Sequence, residues 1–153
     1  MLNIGDPAPT FTLKSDTGQE INLESFRGQK VLIYFYPKAD TPGCTKQACA
    51  IRDAYPQIEN KDITVIGISP DKPEALVKFR QKYQLPFLLL SDPNHQVAES
   101  YGAWGEKTFM GKKYQGILRS HFVIDATGRL SAENLQVKPE MTADLALKLV
   151  ATH

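Results

Sequence analysis

The sequence predicts an α/β chain: a central mixed β-sheet flanked by helices on both sides and preceded by a small β-hairpin. Two observations lead there. Short apolar runs at 31–36 (VLIYFY), 63–69 (ITVIGIS) and 87–90 (FLLL) alternate with segments of helical period, the pattern of strands buried on both faces of a largely parallel sheet. The alternation then breaks: DATGR joins two strand-like segments, which closes the sheet with an antiparallel pair before a last helix.

The elements follow in order. Residues 4–9 (IGDPAP) form an extended entry, and 11–13 and 20–23 flank the turn sequence SDTG as a hairpin. A brief helical turn at 23–28 precedes the strand Val31 to Tyr36, which Pro37 stops because it has no N–H for the ladder. After the punctuated loop 38–43, Ala48, Ile51, Tyr55 and Ile58 mark one face of an amphipathic helix. Strand 63–69 leads to Pro73, which suits the first turn of a helix buried through Leu76, Phe79 and Tyr83. Strand 87–90 ends at SDPN, and a short helix with Val97 and Tyr101 inward is closed by Gly102. Residues 103–118, with three glycines, read as a loop with a β-ribbon. Strands 119–125 and 130–137 follow, and Pro139 opens a final helix with Met141, Leu145 and Leu149 on one side.

The 153 residues suit one domain, 1–153, that buries about two-thirds of its unfolded surface. Charged residues are 23% with a net charge of +1, so there is no basic field for nucleic acid and no acidic tail. No apolar stretch approaches the ~20 residues of a membrane span, and MLNIGDPAPTF has no signal-peptide pattern. The expectation is a cytoplasmic chain, a monomer with a dimer left open, whose partners are small molecules or other proteins.

Chemistry concentrates in residues 31–49, where the first core strand runs through a Pro/Gly loop into both cysteines. Cys44 falls at the N-terminus of the predicted helix, where open N–H groups and the helix dipole favour a thiolate. A small buried hydrophobe is the alternative. Cys49 follows five residues later. On an unbroken helix the two Cα atoms stand about 8.6 Å apart, beyond the roughly 7 Å limit for a disulfide. A bond between them requires the first turns to unwind, so it is transient and conformationally gated. Two cysteines in an unexported chain read as redox-active or metal-binding. No metal or other cofactor is expected: His95, His121 and His153 are scattered, and Cys-x4-Cys lacks the further cysteines of an iron–sulfur site.

The segment PKADTPGCT, residues 37–45, matches the Pro-x-x-x-Thr-x-x-Cys motif of peroxiredoxins. YFYPKADTPGCTKQAC and YGAWGEKTFMGKKYQGILRSHFVID closely resemble the bacterioferritin comigratory protein, or peroxiredoxin Q, subfamily, and the likeness covers nearly the whole chain. It implies a thioredoxin-like fold and an antioxidant thiol peroxidase acting on hydrogen peroxide and organic hydroperoxides. By that likeness Cys44 is the peroxidatic cysteine, oxidised to a sulfenic acid. Cys49 is the resolving cysteine, closing an intramolecular disulfide that thioredoxin reduces. Thr41, Pro37 and Arg119 fall on the positions that shape and polarise the peroxide pocket. Without the likeness, Arg119 reads as a strand-end surface arginine.

Lowering a thiol's pKa also lowers its nucleophilicity, so the remaining acceleration has to come from stabilising charge on the departing oxygen. The Thr41 hydroxyl, the backbone N–H groups of Gly43 and Cys44, and the Arg119 guanidinium are the donors expected there. The chain departs from many relatives at His121, where they carry a small hydroxyl residue. Strand alternation puts His121 on the face of Arg119, and it reads as a partly buried histidine beside the site. Some relatives place the resolving cysteine on the next helix; here only Cys49 is available. A dithiol–disulfide oxidoreductase fits less well, since Cys-x-x-Cys is absent, and a non-catalytic holdase that keeps the fold is the third reading.

Overall fold

The computed structural model describes residues 2–59 and 61–152. In chain order the elements are β1 (Thr12–Ser15), β2 (Glu20–Asn22), β3 (Lys30–Phe35), α1 (Pro42–Ile58), β4 (Ile63–Ser69), α2 (Pro73–Tyr83), β5 (Leu88–Ser91), α3 (Gln96–Ser100), β6 (Trp104–Phe109), β7 (Lys112–Ile117), β8 (Ser120–Ile124), β9 (Leu130–Asn134) and α4 (Met141–Ala151). The main sheet runs β2-β1-β5-β4-β3-β8-β9, with β6 and β7 as a separate ribbon. Strands β3, β4 and β5 are parallel, while β1 and β8 flank them antiparallel. This is the mixed sheet flanked by helices that the sequence predicts, hairpin and ribbon included.

Alternation along β3 divides the core. Leu32, Tyr34 and Tyr36 face α1, α2 and α4, together with Val65, Leu89 and Val123 from neighbouring strands. Val31, Ile33 and Phe35 face the opposite layer, where Val97 and Ala98 of α3 pack with Phe11. Each fully buried Leu, Ile or Phe side chain here contributes roughly 1.5–3 kcal/mol of transfer free energy. The arrangement seats α1 over β3 and places its N-terminus beyond the carboxyl ends of the parallel strands, where open α/β sheets bind ligands.

A close approach sets the floor beneath α1. Gly67 pairs with Tyr34 across β3 and β4, and a Cβ at Gly67 would lie 2.8 Å from the Tyr34 ring. Glycine is required there because the ring lies across it. The Tyr34 and Tyr36 rings sit 5.4 Å apart, and both are fully buried.

The last helix packs Leu145 and Leu149 against the core beside smaller, deeper residues. Its fully buried residues are Thr142, Ala143 and Ala146, whereas Met141, Leu145 and Leu149 are only half-buried. Small residues let α4 approach α1 closely, and a buried polar cluster fills the seam. Gln47 Nε2 donates to Thr142 Oγ1 at 3.0 Å, and Thr142 Oγ1 lies 2.9 Å from His121 Nδ1. The strand expected at 130–137 ends at Asn134, because the chain then turns to bring the Val137 N–H onto the Arg119 carbonyl at 3.0 Å.

Gly67→Ala is expected to cost about 1–3 kcal/mol through overpacking against Tyr34, read as a lowered urea midpoint with unchanged slope. A second expectation concerns His121, whose pKa burial lowers from 6.5 to about 4. The unfolded chain therefore takes up the proton first, and stability is flat above pH 6.5 and falls as pH drops toward 4. Denaturant titrations should show stability falling between pH 7 and pH 5 from this residue, and His121→Asn should remove that fall.

Candidate active site

The loop between β3 and α1 is held at both ends. The Tyr36 N–H still donates to the Ile68 carbonyl at 3.1 Å, and Pro37 then ends the ladder. The Ala39 N–H donates to Asp71 Oδ2 at 2.7 Å, which also accepts the Ser69 hydroxyl at 2.7 Å. Asp40 adopts a positive φ of 59°, and its carboxylate takes the Tyr83 hydroxyl at 2.7 Å and Lys82 Nζ at 3.0 Å, from the end of α2. These contacts fix where the chain enters α1.

Thr41 is the N-cap residue of α1 and makes no side-chain cap; its hydroxyl donates to the Lys38 carbonyl at 2.7 Å. Of the donors read from the sequence, Thr41 is thus already committed as a donor, and its free lone pairs make it an acceptor toward a ligand. With Pro42 lacking an N–H and the Thr45 N–H bonded to the Thr41 carbonyl at 2.8 Å, the Gly43 and Cys44 N–H groups are the open amides of the first turn.

Cys44 is 1% exposed. Arg119 Nη2 donates to its Sγ at 3.4 Å, and Arg119 Nη1 donates to Gln47 Oε1 at 2.6 Å. Arg119 lies one residue ahead of β8. A Cβ at residue 43 would meet Arg119 Nη2 at 3.0 Å, so Gly43 is what lets the guanidinium reach the sulfur. Lys107 Nζ donates to the Ile117 carbonyl at 2.7 Å; burial and the nearby Arg119 charge lower its pKa. An open groove of about 330 Å³ runs past Arg119, with Leu118, Leu135 and Val137 supplying its apolar wall.

The structure thus brings Cys44, Gly43, Thr41 and Arg119 together at the mouth of α1. Pro37 stands at the start of the loop as its stop. Cys49 lies farther along the same unbroken helix, half-buried, and both thiols are free. His121 shares the face of Arg119 and reaches it through Thr142 and Gln47. His95 stacks on Trp104 at 3.6 Å, and His153 lies outside the described residues. Four neighbours were missed from the sequence: Gln47, Thr142, Asp71 and Lys107. Gln47 was legible in principle, since a residue three after Cys44 shares its helix face. The others are joined to the site only through tertiary contacts.

The arrangement presents a sulfur and a permanently charged planar donor to the same small space, with two open amides beside them. It suits attack on an electrophilic oxygen whose leaving group needs negative charge stabilised.

Comparison with known proteins points the same way. The AhpC/TSA family model matches residues 4–133. The chain is 49% identical over 152 residues to peroxiredoxin Bcp of Escherichia coli K12, covering 99% of this chain and 97% of that one. A Haemophilus influenzae relative is 53% identical over 129 residues, 84% of this chain and 83% of that one. Among solved structures, a cysteine-to-serine mutant of PrxQ from Xylella fastidiosa superposes with a TM-score of 0.91 at 29% identity, covering 100% and 98% of the two chains. The Xanthomonas campestris bacterioferritin comigratory protein, described for its alkyl peroxide reduction activity, gives 0.88 at 27% identity with the same coverage. The chain belongs to the AhpC/TSA family, in its peroxiredoxin Bcp/PrxQ branch.

Proposed function

We propose that Cys44 reduces hydrogen peroxide and organic hydroperoxides, that Cys49 resolves the product as an intramolecular disulfide, and that thioredoxin returns the dithiol. The observation that carries this reading is the Arg119 guanidinium donating to Cys44 Sγ at 3.4 Å while anchored on Gln47. The Cys44 thiolate attacks the distal peroxide oxygen, an S–O bond forms, and the O–O bond breaks with its electron pair leaving on the alkoxide or hydroxide. Arg119 and the open amides lower the energy of that developing charge. The leaving oxygen takes a proton and departs as alcohol or water. Thr41 Oγ1, whose own hydrogen is given to Lys38, accepts the O–H of the incoming hydroperoxide.

Cys49 then attacks the sulfenic sulfur, forming the S–S bond and releasing water. An external dithiol restores both thiols, so each turn moves two electrons from reductant to peroxide. Supporting the substrate class, Cys44 is 1% exposed, which favours a small reacting group, and the Xanthomonas relative is described for alkyl peroxide reduction. None of the described helices is long and apolar enough to cross a membrane, and the cycle fits a monomer in the cytoplasm, where dithiol reductants are kept reduced.

One equivalent of hydrogen peroxide should remove both free thiols and lower the intact mass by two hydrogens. Cys44→Ser should abolish thioredoxin-coupled turnover; Cys49→Ser should keep the first oxidation and stall recycling. Arg119→Met should slow the first oxidation about 100-fold or more, measured as the second-order rate of thiol loss. Undiminished turnover in Cys44→Ser would overturn the assignment.

A further inference from the structure

The hydrogen bonds behind Arg119 have a fixed direction as far as Thr142. Arginine has no acceptor, so Gln47 must turn Oε1 toward it and Nε2 toward Thr142, as the 2.6 Å and 3.0 Å contacts require. Thr142 Oγ1 therefore accepts from Gln47 and lies 2.9 Å from His121 Nδ1, to which it gives its own hydrogen in the tautomer that leaves that nitrogen unprotonated. Gln47 and Thr142 are 0% exposed and His121 is 6% exposed, so water offers little compensation for a broken link. Burial, which holds His121 neutral, keeps its acceptor available.

Gln47 also lies between the two cysteines. Closing a bond between Cys44 and Cys49 requires the helix to unwind across residues 44–49, because their Cα atoms stand about 8.6 Å apart on an intact helix and a disulfide spans at most roughly 7 Å. Unwinding that segment displaces Gln47 and breaks its bonds to Arg119 and Thr142. The side chain that fixes Arg119 for the attack on peroxide is thus the same one that must let go before resolution.

We propose that Thr142 and His121, acting through Gln47, form a latch from α4 and β8 onto the first turns of α1, which sets how readily Cys44 leaves Arg119 for Cys49. Thr142 and His121 are positioning residues: neither touches the reacting sulfur. A tight latch favours attack on peroxide and lengthens the life of the sulfenic acid, exposing it to further oxidation to sulfinic acid. A loose latch speeds resolution and protects the sulfur, with Arg119 less firmly held. Thr142 and His121 thereby divide the sulfenic acid between recycling and loss.

The catalytic part of this inference rests on the peroxidase reading; the latch itself does not, and two measurements separate them. In the reduced protein, amide hydrogen exchange across residues 44–49 should rise about tenfold in Thr142→Val, which leaves Gln47 Nε2 buried and unpaired, and about threefold in His121→Phe. Thr142→Ser, which keeps the hydroxyl, should stay near wild type. After one equivalent of hydrogen peroxide, rapid quenching and mass spectrometry should show slower oxidation of Cys44 in Thr142→Val, disulfide closure about tenfold faster, and less sulfinic acid at excess peroxide. A purely structural role would raise exchange in the strands of the sheet as much as at 44–49, and that result would overturn the proposal. So would closure no faster than wild type, or failure of Thr142→Ser to restore it. If peroxide leaves wild-type Cys44 unoxidised, the peroxidase reading falls and the exchange experiment alone decides the latch.

Discussion

A single half-buried guanidinium organises the site. Arg119 donates at once to Cys44 Sγ and Gln47 Oε1, and these bonds offset the cost of drawing its charge part-way out of water. That arrangement propagates outward. Gly43 has no side chain because Arg119 Nη2 lies where its Cβ would press. The strand after the DATGR turn stops early so that Val137 can bond the Arg119 carbonyl. Thr142, a β-branched hydroxyl residue in the first turn of α4, is there to receive the amide end of Gln47.

Most of the scaffold was legible because its signals are local. The boundaries of β4 and α2 follow directly from an apolar run and from a proline opening an amphipathic segment, and the ribbon follows from its glycine spacing. Cys44, Thr41 and Gly43 form one contiguous motif, and helix geometry alone placed Cys44 at the α1 mouth. Arg119, by contrast, stands 75 residues from Cys44 and was found only through family likeness. Asp71, which fixes the Ala39 N–H, could not be told from any loop aspartate. On α4 hydrophobicity marked Met141, Leu145 and Leu149, of which the two leucines pack against the core, and gave no sign that Thr142, Ala143 and Ala146 lie deepest against α1.

The α1 helix answers to two opposed demands. It must hold Cys44 against Arg119, yet surrender its first turns. Its open amides beside Thr41 leave the first turn with few bonds of its own, so the helix is held down there by tertiary contacts, among them Arg119 on Gln47 and Gln47 on Thr142.

The chain has one tryptophan, and it lies away from that helix. Trp104 is stacked on His95 and paired with Ile117 across the ribbon, two residues before Arg119. Its ultraviolet emission therefore originates at the seam of α3 and the ribbon, on the arginine side of the site. A change in that emission on oxidation therefore reports a disturbance at the ribbon and α3, not at the cysteine-bearing turns.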